Sequence, residues 1–277
     1  IQDCTNVYPA APSGADSYWQ CFLHEDGEND TEPNNNSYNV VIGSYSGSYA
    51  QLNESICIGY RAMYGNSGTH YLTNMKINGS IAIGNNALAF TDGYSSDKTY
   101  TRSTNDIVIG NDAMRYSVLT ENNIAIGTSA LKSCNNSIRN IAIGTSALGG
   151  SNSESLYNNI AIGYESLNSN SANILNTVAI GTQAAKSITE GNDNVYIGYH
   201  AGATLTHAYN SVAIGSAAAY NSMSVLEDSI VISPRFAVSE QTIEDAVFIG
   251  PLYCRVFSYY KTQASVYASL SDIVNLD

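Results

Sequence analysis

Charge is what this chain has least of. Only 13% of its 277 residues are Asp, Glu, Lys or Arg, and 24 acids against 11 bases leave a formal net charge of −13. Such a surface repels phosphate backbones, which makes nucleic acid a poor partner. No apolar run is long enough to span a bilayer, so direct membrane insertion is not expected. Cysteine is sparse: Cys4, Cys21, Cys57, Cys134 and Cys254 never stand as C-x-x-C, so no zinc spacing is present. The histidines His24, His70, His200 and His207 form no ligand motif, and His200 with His207 in one return loop reads as a chance pair.

The signatures of catalysis are missing as well. Gly43–Gly47 reads Gly-Ser-Tyr-Ser-Gly rather than G-x-S-x-G, and there is no P-loop and no G-x-G-x-x-G. A glycan-cutting site needs two carboxylates roughly 5–9 Å apart. Asp92, Asp97, Asp106 and Asp112 are near one another in sequence, but nothing else marks them and solvated acids are the default. Calcium-roll turns of the G-G-x-G-x-D kind are absent, and Thr is scattered rather than ranked on one face as ice binding requires. Neither an enzyme nor a cofactor or metal site is expected.

What the chain has instead is one phrase written twelve times. It is Asn-Ile-Ala-Ile-Gly-Thr-Ser-Ala-Leu at Asn123–Leu131 and again at Asn140–Leu148. Its glycine falls at Gly43, Gly59, Gly84, Gly110, Gly127, Gly144, Gly163, Gly181, Gly198, Gly215 and Gly250, with Ser233 standing in once. A period of about 17 residues means stacked coils rather than a conventional core. The longer intervals from Gly59 to Gly84 and from Gly84 to Gly110 are insertions.

The phrase has a physical grammar. Ile always precedes the glycine, Ile or Val stands three before it, and the residue between varies (Ala82, Ala125, Cys57, Val108, Tyr196, Phe248). This alternation predicts a strand with the Ile pair turned into the coil and the small Ala outward, where a neighbouring chain could approach. Four before the glycine a turn former such as Asn39, Ser80, Asp106 or Thr177 marks a corner. Ala or Ser and then Leu, Met, Ala or Gly, three and four after it in the first ten coils, read as a second, tighter strand: Ala62-Met63, Ala87-Leu88, Ser166-Leu167. Each coil is then strand, corner, strand and return loop, and twelve coils at about 4.8 Å give a rod roughly 60 Å long. So thin a core predicts lateral association.

The Asn/Ser-(Ile/Val)-Ala-Ile-Gly-x-x-Ala/Ser pattern resembles the YadA-like head repeats of trimeric autotransporter adhesins. It is also similar to repeats in fibre proteins of tailed phages and large DNA viruses. The resemblance runs from Asn39 to about Gly250. It implies an all-β, left-handed parallel β-roll or solenoid of about twelve coils, three identical chains around one axis, and adhesion to a glycan or protein of a host surface. The run from Asp228 to Leu252 is similar to the ends of such repeats in viral and phage fibres. Three classes stay open: a non-enzymatic virion-surface or other extracellular attachment fibre or rigid spacer, the head of a bacterial adhesin, and a structural filament subunit. A coiled coil and membrane barrel further along the gene would decide for the second, a long polymer in electron micrographs for the third.

The chain divides into an N-terminal segment 1–37, a repeat domain 38–250 and a closing segment 251–277. The first holds the only Trp (Trp19), an acidic run Glu25–Glu32, and Cys4 with Cys21 as a candidate disulfide within or between chains; it caps the first coil, attaches the rod, or binds. Asn35, Asn53, Asn78 and Asn135 begin N-x-S/T sequons, which also arise by chance in so Asn- and Ser-rich a chain. Inserted loops make unique surface on a repetitive body. Tyr64, His70, Tyr71, Tyr94 and Tyr100 in the two insertions are therefore the candidate receptor contacts, with packing on the roll as the other reading.

Overall fold

The computed structural model describes residues 21–23, 39–48, 50–65, 75–90, 101–134, 136–150, 155–169, 173–220, 224–234 and 242–249. The fold is an all-β parallel solenoid of about ten turns, with no helix among the described residues. Two sheets run along it. A 13-stranded sheet carries the repeated phrase, from Val40–Ile42 to Val247–Ile249, and Cys21–Leu23 pairs antiparallel with Val40–Ile42 at its edge. An 11-stranded sheet runs from Gln51–Asn53 to Thr242–Glu244. Pairing is parallel and in register, so like stacks on like: Ile124 on Ile141 on Ile160, and Ala125 on Ala142 on Ala161.

The strand faces are the reverse of the sequence expectation. The central residue points inward: Ala82, Ala125, Ala142, Cys57, Val108 and Tyr196 are fully buried. The flanking Ile and Val side chains point out and stay partly exposed, as in the phrase strands Ile107–Ile109 and Ile141–Ile143. The reason is width. A coil this short encloses a lumen already filled by the central residue of each strand and the Ala-Leu pair of the turn, as by Thr120, Ala125, Ala130 and Leu131, and interiors tolerate neither voids nor overlap.

The second strand also lies elsewhere than expected. It is the three-residue segment ahead of the corner, for example Leu119–Glu121, Ser155–Tyr157 or Val225–Glu227, with its central residue buried. The Ala-Leu pair after the glycine does face the core, Ala130 and Leu131 both being fully buried. It sits in turns because alternate residues there are left-handed, Ser129 at φ 56° and Leu131 at φ 52°. A strand cannot carry those angles. The turns still bond coil to coil, the Ser129 N–H donating to Asn111 O at 2.9 Å and the Leu131 N–H to Ala147 O at 2.9 Å.

Corners are closed by side chains. The Asn140 Nδ2 donates to Leu156 O at 2.8 Å, and its Oδ1 accepts the Asn159 N–H of the next coil at 2.9 Å. Asn39, Asn123, Asn159 and Asn194 each donate in the same way, so the buried corner amides satisfy backbone groups that the bend leaves without a sheet partner. Larger core residues are compensated nearby. Tyr196 takes an Ala position, its own coil has Gly202 where most others have Leu or Met, and a Cβ at Gly202 would fall 2.5 Å from the ring. Cys57 also takes an Ala position; burial pushes its thiol up to about 11. Thiolate is the reactive form, so Cys57 and the equally buried Cys134 are expected to resist iodoacetamide in the native state and to be alkylated on unfolding. Peptide mass spectrometry after labelling at pH 8 checks this; native labelling at either position would refute it.

Candidate functional site

Three constellations stand out once the coils are stacked. The first is the outward face of the phrase sheet. Its two columns of Ile and Val include Ile109, Ile143, Ile180, Ile197, Ile230 and Ile232, each among the exposed large apolar residues. Two such side chains per coil line up into one contiguous apolar face, a larger exposed patch than a monomeric protein usually leaves open.

The second is an aromatic nest on the turn side of the first two coils. Tyr45 and Tyr60 stand perpendicular with centroids 6.1 Å apart, and Tyr64 meets Tyr45 edge-on at 6.5 Å. The Arg61 guanidinium lies 5.1 Å from the Tyr64 ring, 5.2 Å from Tyr60 and 5.8 Å from Tyr45. Tyr45 and Tyr60 are about half exposed, while Tyr64 is buried beneath them. Of the expected receptor contacts, Tyr64 is thus a support rather than a surface residue; His70, Tyr71, Tyr94 and Tyr100 lie outside the described residues.

The third is a polar seam inside the core. Asp106 occupies a corner where other coils have Asn, Ser or Thr, and it is fully buried. Its Oδ2 accepts from Ser103 Oγ and Thr120 Oγ1, both at 2.7 Å. Its Oδ1 accepts the Asn123 N–H at 2.8 Å and Nδ2 at 2.9 Å. Ser103, Thr120 and Ser137 are stacked centres of three successive strands, where later coils have Leu156 and Ile174. Burial raises the Asp106 carboxyl above its ordinary value, against the lowering effect of these donors. The seam holds one carboxylate sealed from solvent, which leaves it no access to a substrate.

The remaining sequence candidates are not brought together. Asp112 sits on the turn side and pairs with Arg115 at 2.9 Å, away from the buried corner of Asp106; Asp92 and Asp97 lie outside the described residues. His200 stacks on Tyr199 at 3.9 Å in a turn, whereas His207 begins a strand, so they do not share one loop. No group of three His, Cys, Asp or Glu side chains suited to a metal occurs among the described residues. Cys4, and with it the Cys4–Cys21 pairing, lies outside them, as do Asn35 and Asn135.

Asn53 and Asn78 stack on adjacent coils, the Asn53 Nδ2 donating to Asn78 Oδ1 at 2.8 Å. The sequon hydroxyls of Ser55 and Ser80 are buried and donate to Asn53 O and Asn78 O. Asn53 is half-buried and Asn78 exposed, so the acceptor amides lie at the surface while the sequon hydroxyls are engaged with the backbone. The repeat glycines from Gly43 to Gly215 are structural, each packed against its counterpart in the next coil.

The Ile columns and the Asp106 seam were not anticipated from the sequence. The signals were there: no charged or amide residue at any central position of the phrase strands, and one acid in a corner column made almost wholly of amides and hydroxyls, with three hydroxyl residues in phase beside it. No family model, no curated protein and no solved structure matches this chain.

Proposed function

We propose that this chain is a segment of an extracellular fibre, on a virion or cell surface, that attaches its bearer to a host surface or holds it at a fixed distance without catalysis. The observation that carries this is the continuous outward Ile and Val face, which needs a partner of the same length and period, and a second copy of the chain supplies one. Three copies around an axis and a left-handed path follow from the resemblance to adhesin and fibre repeats, and a coil count of twelve from the twelve copies of the phrase. With those faces turned to the axis, the turn side and the insertions remain outside to meet a host glycan or protein. Net negative charge supports a polar, non-nucleic-acid environment. The Cys21–Leu23 strand at the sheet edge supports a capping role for the segment 1–37. The bacterial adhesin head uses the same face and differs in what the trimer is fixed to.

Light scattering with small-angle X-ray scattering on the purified chain tests this. A rod-shaped trimer is expected, and a compact monomer would overturn the reading. A double variant, Ile143→Lys with Ile180→Lys, places two charges per chain in the buried columns and is expected to give monomers or aggregates, since an unpaired buried charge costs several kcal/mol. An unchanged trimer in that variant would show that another face carries the association.

A further inference from the structure

We infer that Tyr45, Tyr60 and Arg61, backed by Tyr64, form a saccharide subsite that selects a pyranose bearing a carboxylate. The inference rests on the attachment reading and names the chemistry that attachment would use at this end of the rod.

Among the described residues the turn side carries four cations, Arg61, Arg115, Lys132 and Lys186; two are neutralised at home, and Lys132 has a single ring, that of Tyr116, at 6.0 Å. Arg115 lies 2.9 Å from Asp112, and Lys186 lies 2.7 Å from Glu165. Arg61 has no carboxylate partner among the described residues, in a chain where acids outnumber bases 24 to 11. Its place is not left to chance. Three rings hold the guanidinium within 5.1–5.8 Å, and its Nε is buried without a hydrogen-bond partner. The rings therefore confine the guanidinium to this nest, and no hydrogen bond within the described residues occupies its N–H groups. A carboxylate accepts the planar guanidinium fork through two parallel bonds, which a lysine ammonium cannot offer.

The rings specify the rest of the ligand. Tyr45 and Tyr60 are 49% and 44% exposed and stand at 89° to one another, so they bound an open corner with a ring face on one side. Tyrosine presents flat apolar area with a hydroxyl at its rim, which suits the C–H face of a pyranose and its equatorial hydroxyls. A chain of net charge −13 does not gather anions by its long-range field. The ligand must then bring apolar contact together with its charge, and an acidic sugar brings both. Few precisely placed polar groups beside aromatic walls are also what small-ligand sites have in common.

The test is calorimetry and saturation-transfer NMR with two probes: a glucuronate-containing tetrasaccharide, and the same tetrasaccharide with its carboxyl groups reduced to alcohols. The native chain is expected to bind the acidic probe at least ten-fold more tightly. Arg61→Gln should erase that preference, Arg61→Lys should restore only part of it, and Tyr60→Ala should weaken both probes. Lys186→Gln should change nothing, and thermal melts confirm that each variant folds. Equal affinity of the native chain for both probes, no binding of either, or a preference that survives Arg61→Gln would overturn the proposal. A rod-shaped trimer that binds neither probe removes this site and leaves the fibre reading standing. A compact monomer that still prefers the acidic probe does the reverse.

Discussion

Gly144→Ala is expected to lower the thermal midpoint sharply, or to prevent accumulation of folded chain, although it adds one methyl group. Two costs combine. Gly144 holds φ +131°, a region open in practice to glycine alone. A Cβ built there would also lie 2.5 Å from the Gly163 carbonyl oxygen and 2.7 Å from its carbon. Those neighbours are backbone and cannot swing aside. Nor can Gly144 retreat, because its N–H is bonded to Ile126 O at 2.8 Å in the preceding coil. Relief would need the coils to separate locally, which breaks the ladder on both sides. We expect about 3 kcal/mol or more, the range of strained-backbone and overpacking substitutions. Stability of a stacked repeat is close to a sum of coil and interface terms, so the lesion should also split the melt into segments before and after it. Circular dichroism melts, with exposed Thr145→Ala as the neighbour control, check this; an unchanged midpoint for Gly144→Ala would show that the corner can open. Ser233, at the same place in a later coil, keeps φ outside the positive range, so that corner is built differently.

The same glycine shows how much of the fold could be read in advance. Period, strand, corner and in-register stacking follow from the spacing of the mark and the Ile pair beside it. What the alternation could not decide was which strand face is interior. Ile is larger and more apolar than Ala, so burial of the Ile pair was the natural expectation. The coil is too narrow for it. A better signal was the chemistry of the variable position, which is Val41, Cys57, Ala82, Val108, Tyr196, Val231 or Phe248 and never polar. Tolerance of size without tolerance of polarity marks an interior site when neighbours can compensate, as Gly202 does for Tyr196. The turn side was misread for a different reason. Its residues have strand-like burial, but Ser129, Leu131, Ser146 and Leu148 adopt left-handed φ that no propensity scale assigns to Leu. Coil-to-coil hydrogen bonds and, in most turns, a buried Leu or Met offset that strain.

The candidate site was less legible, because it exists only after stacking. Tyr45 and Arg61 are far apart in sequence and become neighbours because each stands two residues after a repeat glycine. Reading down that column, rather than along the insertions, would have found the nest. The insertion residues His70, Tyr71, Tyr94 and Tyr100 stand out in the sequence because they break the period, whereas the aromatic cluster is built on regular coil positions. Asp106 was visible as an acid, but its neighbours Ser103, Thr120 and Ser137 declare themselves only as stacked centres of the second sheet.

Asp106→Asn is expected to stabilise the solenoid at neutral pH and to have little effect in acid. Burial raises the carboxyl of Asp106 above its ordinary value of 3.8, and burial outweighs the four donors that favour the charged form. The sign follows from linkage. A carboxyl whose folded pKa lies above its unfolded value binds its proton more tightly in the native chain. Native stability is then least affected below the unfolded pKa and falls as pH rises through the folded pKa. Asn removes that loss. Its amide also fits the corner, because Asn123, Asn140 and Asn159 each make the inter-coil bond there with Oδ1 and donate Nδ2 to a core carbonyl.

The advantage of the variant should therefore be smallest below the ordinary carboxyl pKa and grow as pH rises through the raised folded value, of order 1–2 kcal/mol, the scale of an imperfectly compensated buried charge. Urea midpoints from pH 3 to 8, at one fixed chain concentration, measure it. Exchange of the Asn123 amide, which donates to Asp106 Oδ1 at 2.8 Å, reports the same change locally. Parallel pH curves, or a variant less stable than the native chain at pH 7, would mean that Ser103, Thr120 and Asn123 hold the carboxylate better than water does. The seam would then be a stabilising anion site in the core rather than a tolerated charge.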